Sequence, residues 1–559
     1  MFSNNQHKAV DLDFDWWCNT FKSAIKDFGH TVMVLAPWND PIPLVRGWCL
    51  WELYCTIITN AKFEVAMSKK HRDDFLQDIC NKAQDSINKM LATINVEKSE
   101  CFKKEDKDKI FKIVQDEVGF NKINSLAFER MRDWMIDTAL ISLHQEKDNE
   151  IKLELMNGCA EIYYHQRNFE KAKSLYLECL EKRRQILGED SPLTLKSLNN
   201  LAVLYSNTGQ HSLAIPLLEE CLNRLVPNNM DTLVTTSNLA RVYESTDKQK
   251  SESLYVECIE KMKKMLGRDH PSTLATTSNL VNLYVGMIVN HKFDKALYDK
   301  ALYLAKECLE KQKKILGREH PETLHSATSL ALLYFNSDQQ SDKAKAQTLL
   351  VDCLEKRRKM LGVDHPHTIT SMNNLATFYK ETGQYSLAVP LYEECLQVVG
   401  SDHPDTLKPL SSLEETYYDM GLYSKALPLC KEYLEKKRQI LGVDHPDTLK
   451  SMSKLSALYY SMGQYDKAQP LYEECLEKRR QILGDENQYT LETISNLAVL
   501  YVEKDDSDKA LPLLEESLVN RRKILGISHP DTQLSLKRLR KFLKVTGKQS
   551  KVANSLPAI

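Results

Sequence analysis

The sequence predicts a mostly α-helical protein, an α-solenoid of about nine helix pairs preceded by a small α/β domain. Three observations predict this fold class. A phrase of eight residues occurs nine times at a spacing near 42 residues, an apolar pattern of helical period fills each interval, and all six tryptophans lie in the first 134 of 559 residues. A chain of this length is too long for one hydrophobic core, so several domains or a repeat array are expected.

The repeated phrase is Leu-Gly-x-Asp/Glu-His-Pro-x-Thr. Its full copies are Leu266–Thr273, Leu316–Thr323, Leu361–Thr368 and Leu441–Thr448, and looser copies end at Thr194, Thr232, Thr406, Thr490 and Thr532. The glycine is suited to end a helix because it adopts positive φ at low cost, and the proline is suited to begin the next helix. A regular period of this length with a helical internal pattern predicts stacked helix pairs.

Each interval contains two apolar stripes, which predict a first and a second helix separated by a tight turn. In the unit from Thr368 to Gly400, Gly383 marks that turn. The spacing of three and four residues within each stripe places its members on one helix face. The two stripes of this unit are Leu375, Ala376 and Tyr379, then Ala388, Tyr392 and Cys395.

These stripes resemble the tetratricopeptide repeat (TPR), and the repeat period with its His-Pro turn is similar to the kinesin light chain type. Further matching stripes are Leu201, Ala202, Tyr205, Ala214, Leu218 and Cys221, and Leu455, Tyr459, Ala468, Tyr472 and Cys475. The resemblance covers about residues 149–545. It implies a superhelix of nine helix pairs with a last capping helix, and a concave groove that binds peptide segments of partner proteins.

Asparagine precedes the stripe leucine on five of the predicted first helices, at Asn200, Asn238, Asn279, Asn374 and Asn496. In TPR proteins this position faces the concave groove. An asparagine amide has one acceptor and two donors, which match the groups of an extended peptide backbone. The five residues are therefore the candidate peptide-binding site, and the alternative is that they are helix-packing amides. Ser329, Ser412 and Lys454 interrupt the series.

Three other repeated residue types have structural interpretations. Seven cysteines share one repeat position, which favours a small buried position over redox or metal chemistry. Six histidines precede the turn prolines and are predicted to be turn and cap residues, so no metal site is expected. Basic runs such as Lys182–Arg184, Lys356–Arg358 and Lys478–Arg480 are predicted to lie on a solvated helix face.

The N-terminal part alternates predicted helices and short strands, which is typical of a small parallel sheet. Predicted strands are Thr31–Ala36, Phe63–Met67 and Leu91–Val96, and predicted helices are Asp15–Phe28 and Arg46–Asn60. The sequence thus predicts a partial α/β domain over residues 1–70, a helical connector over 71–148, the repeat array over 149–545 and a flexible tail over 546–559.

The segment Trp48-Cys49-Leu50-Trp51-Glu52-Leu53 resembles the helix that follows the third strand of Toll/interleukin-1 receptor (TIR) domains. TIR domains have two strands and a helix before that third strand, where this chain has only the stretch from Met1 to His30, so the resemblance is to a truncated domain. In NAD-cleaving members the glutamate of the motif is catalytic, a role that would fall on Glu52. The alternative is that Glu52 is an ordinary exposed helix residue.

The composition argues against several classes of protein, including nucleic-acid-binding, membrane-spanning and secreted proteins. With 75 basic and 77 acidic residues, the chain has a net charge of −2 and lacks the basic excess that favours nucleic-acid binding. No apolar run has the length of a membrane span, and no signal-peptide pattern is present. Fourteen cysteines without a CxxC pair favour reduced thiols and a cytoplasmic location.

The sequence therefore predicts a protein-interaction scaffold that binds peptides in the TPR groove and needs no cofactor. The alternative is a TIR-like NAD-cleaving effector, with NAD as its substrate, regulated by the repeat array. No P-loop sequence is present, and no heptad coiled coil precedes the repeats, which argues against a motor heavy chain as partner.

Overall fold

The computed structural model describes residues 14–35, 37–38, 42–91, 94, 99, 108, 111–112, 120–166, 168–226, 229–290, 294–337, 339–363, 365–399, 406–550 and 552. The chain divides into two compact units, Met1–Leu375 and Ala376–Ile559. The first unit therefore contains both the N-terminal part and the first repeats, and the four domain ranges drawn from the sequence remain a prediction.

The N-terminal part is a small α/β arrangement, as predicted. Its elements are α1 (Phe14–Phe28), β1 (His30–Val34), a 3₁₀ turn (Ile42–Val45), α2 (Gly47–Ile58), β2 (Lys62–Ala66), α3 (Lys69–Leu91) and α4 (Phe120–Gln145). β1 and β2 pair in parallel, with His30 opposite Lys62 and Val34 opposite Ala66. Helix α2 connects them, as expected for parallel neighbours.

The predicted third strand over Leu91–Val96 is not seen where the structure describes that segment. Leu91 is the last residue of α3, and Ile94 is buried but belongs to no strand. Residues 92, 93, 95 and 96 lie outside the described residues. The periodicity of α3 continues to Leu91, and this helix competes with the short apolar run for the same residues.

Among the residues that the structure describes, the helices of the repeat region fall into nine consecutive pairs followed by a last helix, which confirms the predicted solenoid class. The pairs in the first unit are α5 (Asn149–His165) with α6 (Phe169–Leu187), α7 (Pro192–Asn207) with α8 (His211–Arg224), α9 (Met230–Tyr243) with α10 (Lys248–Leu266), α11 (Pro271–Asn290) with α12 (Lys295–Ile315), and α13 (Pro321–Phe335) with α14 (Gln340–Leu361).

Helix α15 (Pro366–Glu381) contains the division between the two units. The remaining helices are α16 (Tyr385–Val399), α17 (Leu407–Asp419) with α18 (Tyr423–Leu441), α19 (Pro446–Ser461) with α20 (Tyr465–Leu483), α21 (Gln488–Glu503) with α22 (Ser507–Leu525), and the last helix α23 (Pro530–Thr546). Beyond α23, Lys548 pairs with Asp508 at 2.7 Å and buried Ser550 donates to Glu515. The start of the predicted tail thus packs on α22.

The repeated phrase forms the boundary between one pair and the next. Gly442 has a φ of 89°, in the left-handed region that ends α18, and Pro446 begins α19. His445 caps α19, because its Nδ1 accepts from the amide N–H of Asp447 at 3.2 Å. His270, His320, His365 and His529 accept in the same way, which confirms the cap prediction; His403 lies outside the described residues.

The repeated cysteines lie in small buried positions between helices, as predicted. All seven are buried, and most donate their S–H to a backbone carbonyl of the preceding first helix, as Cys179 does to Leu153 at 3.4 Å and Cys475 to Leu449 at 3.3 Å. Burial raises the pKa of the Cys258 and Cys308 thiols to about 11. These thiols are therefore protonated and unreactive at neutral pH.

The prediction that the basic runs form a solvated face is wrong for their central arginine. Arg183 and Arg479 are buried, with 2% of each residue exposed. Arg183 donates to Ser197 Oγ at 2.7 Å, and Arg479 donates to Thr493 Oγ1 at 2.5 Å, so each joins a second helix to the next first helix. The flanking lysines do form surface ion pairs, such as Lys182 with Glu178. The charge of a basic run did not distinguish its buried central arginine from its flanking lysines.

Candidate peptide-binding face

One repeat position on the first helices contains all five candidate asparagines. Counting one repeat period back from Asn200 places Gly158 of α5 in the same series, and counting one period forward from Asn496 places Arg538 of α23 in it. We call this series the amide row. It comprises Gly158, Asn200, Asn238, Asn279, Ser329, Asn374, Ser412, Lys454, Asn496 and Arg538. Sequence reasoning missed both ends of the row because neither residue is an amide.

Two of the five candidate amides are used within the repeat itself. Asn200 Nδ2 donates to Asn157 Oδ1 at 3.2 Å, and Asn238 Nδ2 donates to Asn199 Oδ1 at 3.0 Å. Each bond joins one first helix to the preceding first helix. These two side chains therefore make the contacts that the helix-packing alternative predicts.

The other three candidate amides have a different environment. Asn279 of α11, Asn374 of α15 and Asn496 of α21 are half-buried. Across the part of the chain that the structure describes, no side-chain hydrogen bond joins any of these amides to another residue. Each retains donors and an acceptor that can be offered to a peptide backbone.

In the second unit, charged side chains occupy two of the four row positions, Lys454 and Arg538. Glu415 of α17 pairs with Lys380 at 2.7 Å and also with the row residue Lys454 of α19. Burial alone would raise the pKa of Glu415, but hydrogen bonds from the two lysines lower it. The neighbouring Glu414 is 4% exposed, and burial raises its pKa to about 7. The pKa values of these two adjacent carboxyls are thus shifted in opposite directions, upward for Glu414 and downward for Glu415.

The first position of the row is covered by a helix of the N-terminal part. Gly158 lies so close to α3 that a Cβ atom there would overlap the carbonyl oxygen of Ile79. Phe75 and Ile79 of α3 are fully buried. The absence of a side chain at Gly158 permits this close approach of two helix backbones.

The N-terminal helices also reach the fifth helix pair. Helix α3 contacts α14 in addition to α5. Arg132 of α4 donates from Nη2 to the backbone carbonyl of Leu361, the last residue of α14, at 3.0 Å. We call α3 and α4 together the N-terminal bridge, because they contact the first and the fifth pair of the same unit. Trp134 of α4 packs against Phe75 of α3, with ring centroids 5.5 Å apart.

Glu52, the candidate catalytic residue, lies on α2 and is half-buried, which differs from the exposed alternative. Burial raises the pKa of its carboxyl. Trp38 and Trp51 are buried, and Trp38 packs edge-on against Phe75 at 5.0 Å, so these two rings serve the core. The side chain of Trp48 lies outside the described residues. A cavity of about 420 Å³ runs along α4 at Asp137, Leu140, Ile141, His144 and Gln145, and Glu52 does not line it.

Two kinds of feature are absent from the residues that the structure describes. No group of three or more His, Cys, Asp or Glu side chains is arranged there to hold a metal ion. No helix among them combines the length and the apolar character that crossing a membrane requires.

Family models match much of the chain. A model described as a tetratricopeptide repeat matches residues 153–225, 339–399, 410–481 and 447–523, and a second model of the same description matches 232–272 and 293–322. Together these segments cover more than half of the chain. They begin at residue 153, so the resemblance of Trp48–Leu53 to TIR domains gains no support from them. No curated protein matches this chain.

Solved structures match parts of the chain. Two are crystal structures of a kinesin light chain-like protein of Podosopora anserina with nearly identical TPR-like repeats; each shares 27% identity and covers 38% of this chain and 97% of the solved chain, with a TM-score of 0.33. A third is BtubC (BKLC) from P. vanneervenii, at 17% identity, with 41% of this chain and 90% of that chain covered and a TM-score of 0.33.

Proposed function

The chain belongs to the tetratricopeptide repeat family, and we propose that it is a scaffold whose amide row binds extended peptide segments of partner proteins. TPR arrays serve protein interaction in general. The finer proposal concerns where a partner binds, and it rests on the contrast between row positions that are already occupied and those that are not.

The observation that carries the proposal is the contact at Gly158. At this position the row already receives another polypeptide segment, because α3 packs directly on it. The surface of the first helices at the amide row can therefore pack against another polypeptide segment. Farther along, the half-buried amides of Asn279, Asn374 and Asn496 present the polar groups that an extended backbone needs.

The expected energy of such binding is modest for each amide. A hydrogen bond between neutral groups contributes about 0.5–1.5 kcal/mol net. Loss of the two such bonds that Asn279 and Asn374 offer within the first unit would weaken binding by about fivefold or more, since about 1.4 kcal/mol corresponds to a factor of ten. Asn200 already donates a hydrogen bond to Asn157, and Asn238 donates one to Asn199. The contribution of these two residues to peptide binding is therefore expected to be smaller.

The experiment selects a ligand from a random library of displayed 12-residue peptides on the wild-type chain and measures its Kd by fluorescence anisotropy. The double variant Asn279→Ala, Asn374→Ala, whose two positions both belong to the first unit, should bind the selected peptide more weakly by about fivefold or more, with an unchanged thermal midpoint. The matched control, Asn200→Ala with Asn238→Ala, should lower the thermal midpoint and change the Kd less.

Equal affinity of the double variant and the wild type would show that the amides do not bind the peptide.

We also propose a cytoplasmic location. Free cysteines such as Cys179 and Cys475, buried in the repeat core, support it, because thiols persist in a reducing compartment.

A further inference from the structure

Histidines collect where the N-terminal bridge meets the repeats. Arg132 of α4 donates to the carbonyl of Leu361, and four residues after Leu361 the cap residue His365 precedes α15, with only 7% of its surface exposed. His365 accepts from the amide N–H of His367 at 3.2 Å, and the two rings lie 5.3 Å apart. His165, at the C-terminal end of α5, is close enough to both histidines to interact electrostatically.

The groups that face His365 come from four elements. They are Arg132 of α4, His165 of α5, Arg357 of α14 and His367 of α15. Burial and, after it, these four neighbours hold the pKa of His365 well below the ordinary value. Each of the four is cationic when charged, so each opposes a proton on His365.

Two further imidazoles share this environment. Burial, together with His367, lowers the pKa of His165 to about 4. On α13, His325 contacts Asn282 Nδ2 at 2.5 Å, and burial, Arg357 and His367 lower its pKa to about 4 as well. At neutral pH His165, His325 and His365 are therefore held as neutral imidazoles beside two permanently charged arginines.

We propose that this histidine cluster is an acid-sensitive latch, which holds the N-terminal bridge against the fifth helix pair at neutral pH and releases it when the imidazoles take up protons. The proposal goes beyond peptide binding and does not depend on it. Release would separate Arg132 from Leu361 and free α4, while the repeats themselves stay folded.

The direction follows from proton linkage. An imidazole with a pKa of about 4 in the latched state and an ordinary value near 6.5 in water binds protons more tightly when released. The contribution of the neutral imidazoles to the latched state is therefore fully present above pH 6.5 and is lost as the pH falls toward 4. At pH 5.5 each imidazole that gains water shifts the equilibrium toward release by about tenfold, and at pH 7.5 it shifts it hardly at all.

The experiment measures hydrogen–deuterium exchange of the full chain, without any ligand, at pH 7.5 and 5.5 after correction for intrinsic exchange. Exchange in α4 should rise about tenfold or more at pH 5.5, whereas exchange in α20 and α22 should not change. Tryptophan fluorescence provides a second measurement, because all six tryptophans lie in the N-terminal part and the last of them, Trp134, is on α4.

The test variant is His365→Asn, which removes the titrating group and keeps the cap. Asn487 already caps α21 in this chain by accepting from Tyr489 N–H at 2.9 Å. The acid midpoint of release should fall in this variant. The matched control is His445→Asn, which changes an exposed cap histidine of the second unit and should leave the midpoint unchanged.

Arg132→Gln tests the geometry without any titration. Loss of the charged donor to Leu361 should raise exchange in α4 already at pH 7.5. An acid midpoint that does not move in His365→Asn, or exchange that rises equally in α4 and α20, would overturn the latch. Because no peptide is present, either result would leave the proposed binding function standing.

Discussion

The two compact units are built from the same repeated helix pair, yet they differ in what lies on the amide row. In the first unit, Gly158 is covered by α3, and the N-terminal bridge joins the first pair to the fifth. In the second unit, the row residue Lys454 is engaged by Glu415. One repeat position can therefore hold a separate chain segment or an internal ion pair, depending on the side chain that it carries.

The difference extends to the response to pH. Burial lowers the pKa values of His165 and His325 in the first unit, so their contribution to stability is lost as the solution becomes acidic. In the second unit, burial raises the pKa of Glu414 to about 7, so its carboxylate opposes folding as pH rises from 4.5 through 7. These histidines and Glu414 thus contribute opposite pH dependences.

The largest effect is expected from Gly158→Val. A side chain there overlaps the backbone of Ile79, which cannot rotate away, so α3 must leave α5. We expect a loss of about 3 kcal/mol or more in the free energy of unfolding of the N-terminal part, at the upper end for overpacking. Tryptophan emission should shift to longer wavelength, since buried Trp38 and Trp51 would gain water.

Asn496→Val is the matched control for this prediction. It places the same β-branched residue at the equivalent row position of α21, and neither substitution lowers helix propensity appreciably, since valine is similar to asparagine and better than glycine in a helix. Tryptophan emission should remain as in the wild type. An unchanged emission in Gly158→Val as well would mean that α3 does not depend on this close approach.

A smaller effect is expected from Glu414→Gln. Because the folded-state pKa is raised to about 7, the carboxylate costs stability above pH 7, and a neutral amide of the same shape removes the cost. At pH 8 the variant should gain about 2 kcal/mol in the local unfolding free energy of α17 and α18, and at pH 4 it should match the wild type.

Hydrogen exchange of these two helices measures this gain. The neighbouring substitution Glu415→Gln should have the opposite sign at pH 8, since it removes the carboxylate that pairs with Lys380 and Lys454. If both variants lose stability at pH 8, the contrast between the two carboxyls does not hold.

The smallest effect is expected from Glu52→Gln. Burial raises the pKa of Glu52, so its charge is a cost at neutral pH, and the amide should raise stability by about 0.5 kcal/mol. The thermal midpoint at pH 7.5 measures this gain in stability.

Incubation with NAD addresses the enzyme alternative, in which wild type would release nicotinamide and Glu52→Gln would not. Equal release by both would place any chemistry elsewhere.

The repeat and its local contacts could be predicted from the sequence. The position of Cys179, the cap at His445 and the first-helix location of Asn279 each depend on residues of the same or the adjacent helix pair. A regular spacing reports such neighbours directly, because each pair packs mainly on the next. The burial of Arg183 was missed, since a basic run has the same sequence pattern whether or not its central side chain is enclosed.

By itself, then, the sequence determined the solenoid class, the pairing of helices and the residues of the amide row between its two ends. The tertiary structure alone decided which row positions are occupied. Arg132 contacts Leu361 and Ile79 contacts Gly158 across long stretches of intervening chain. Their contacts depend on where α3 and α4 lie on the repeats, and the repeat period carries no information about a segment outside the repeat.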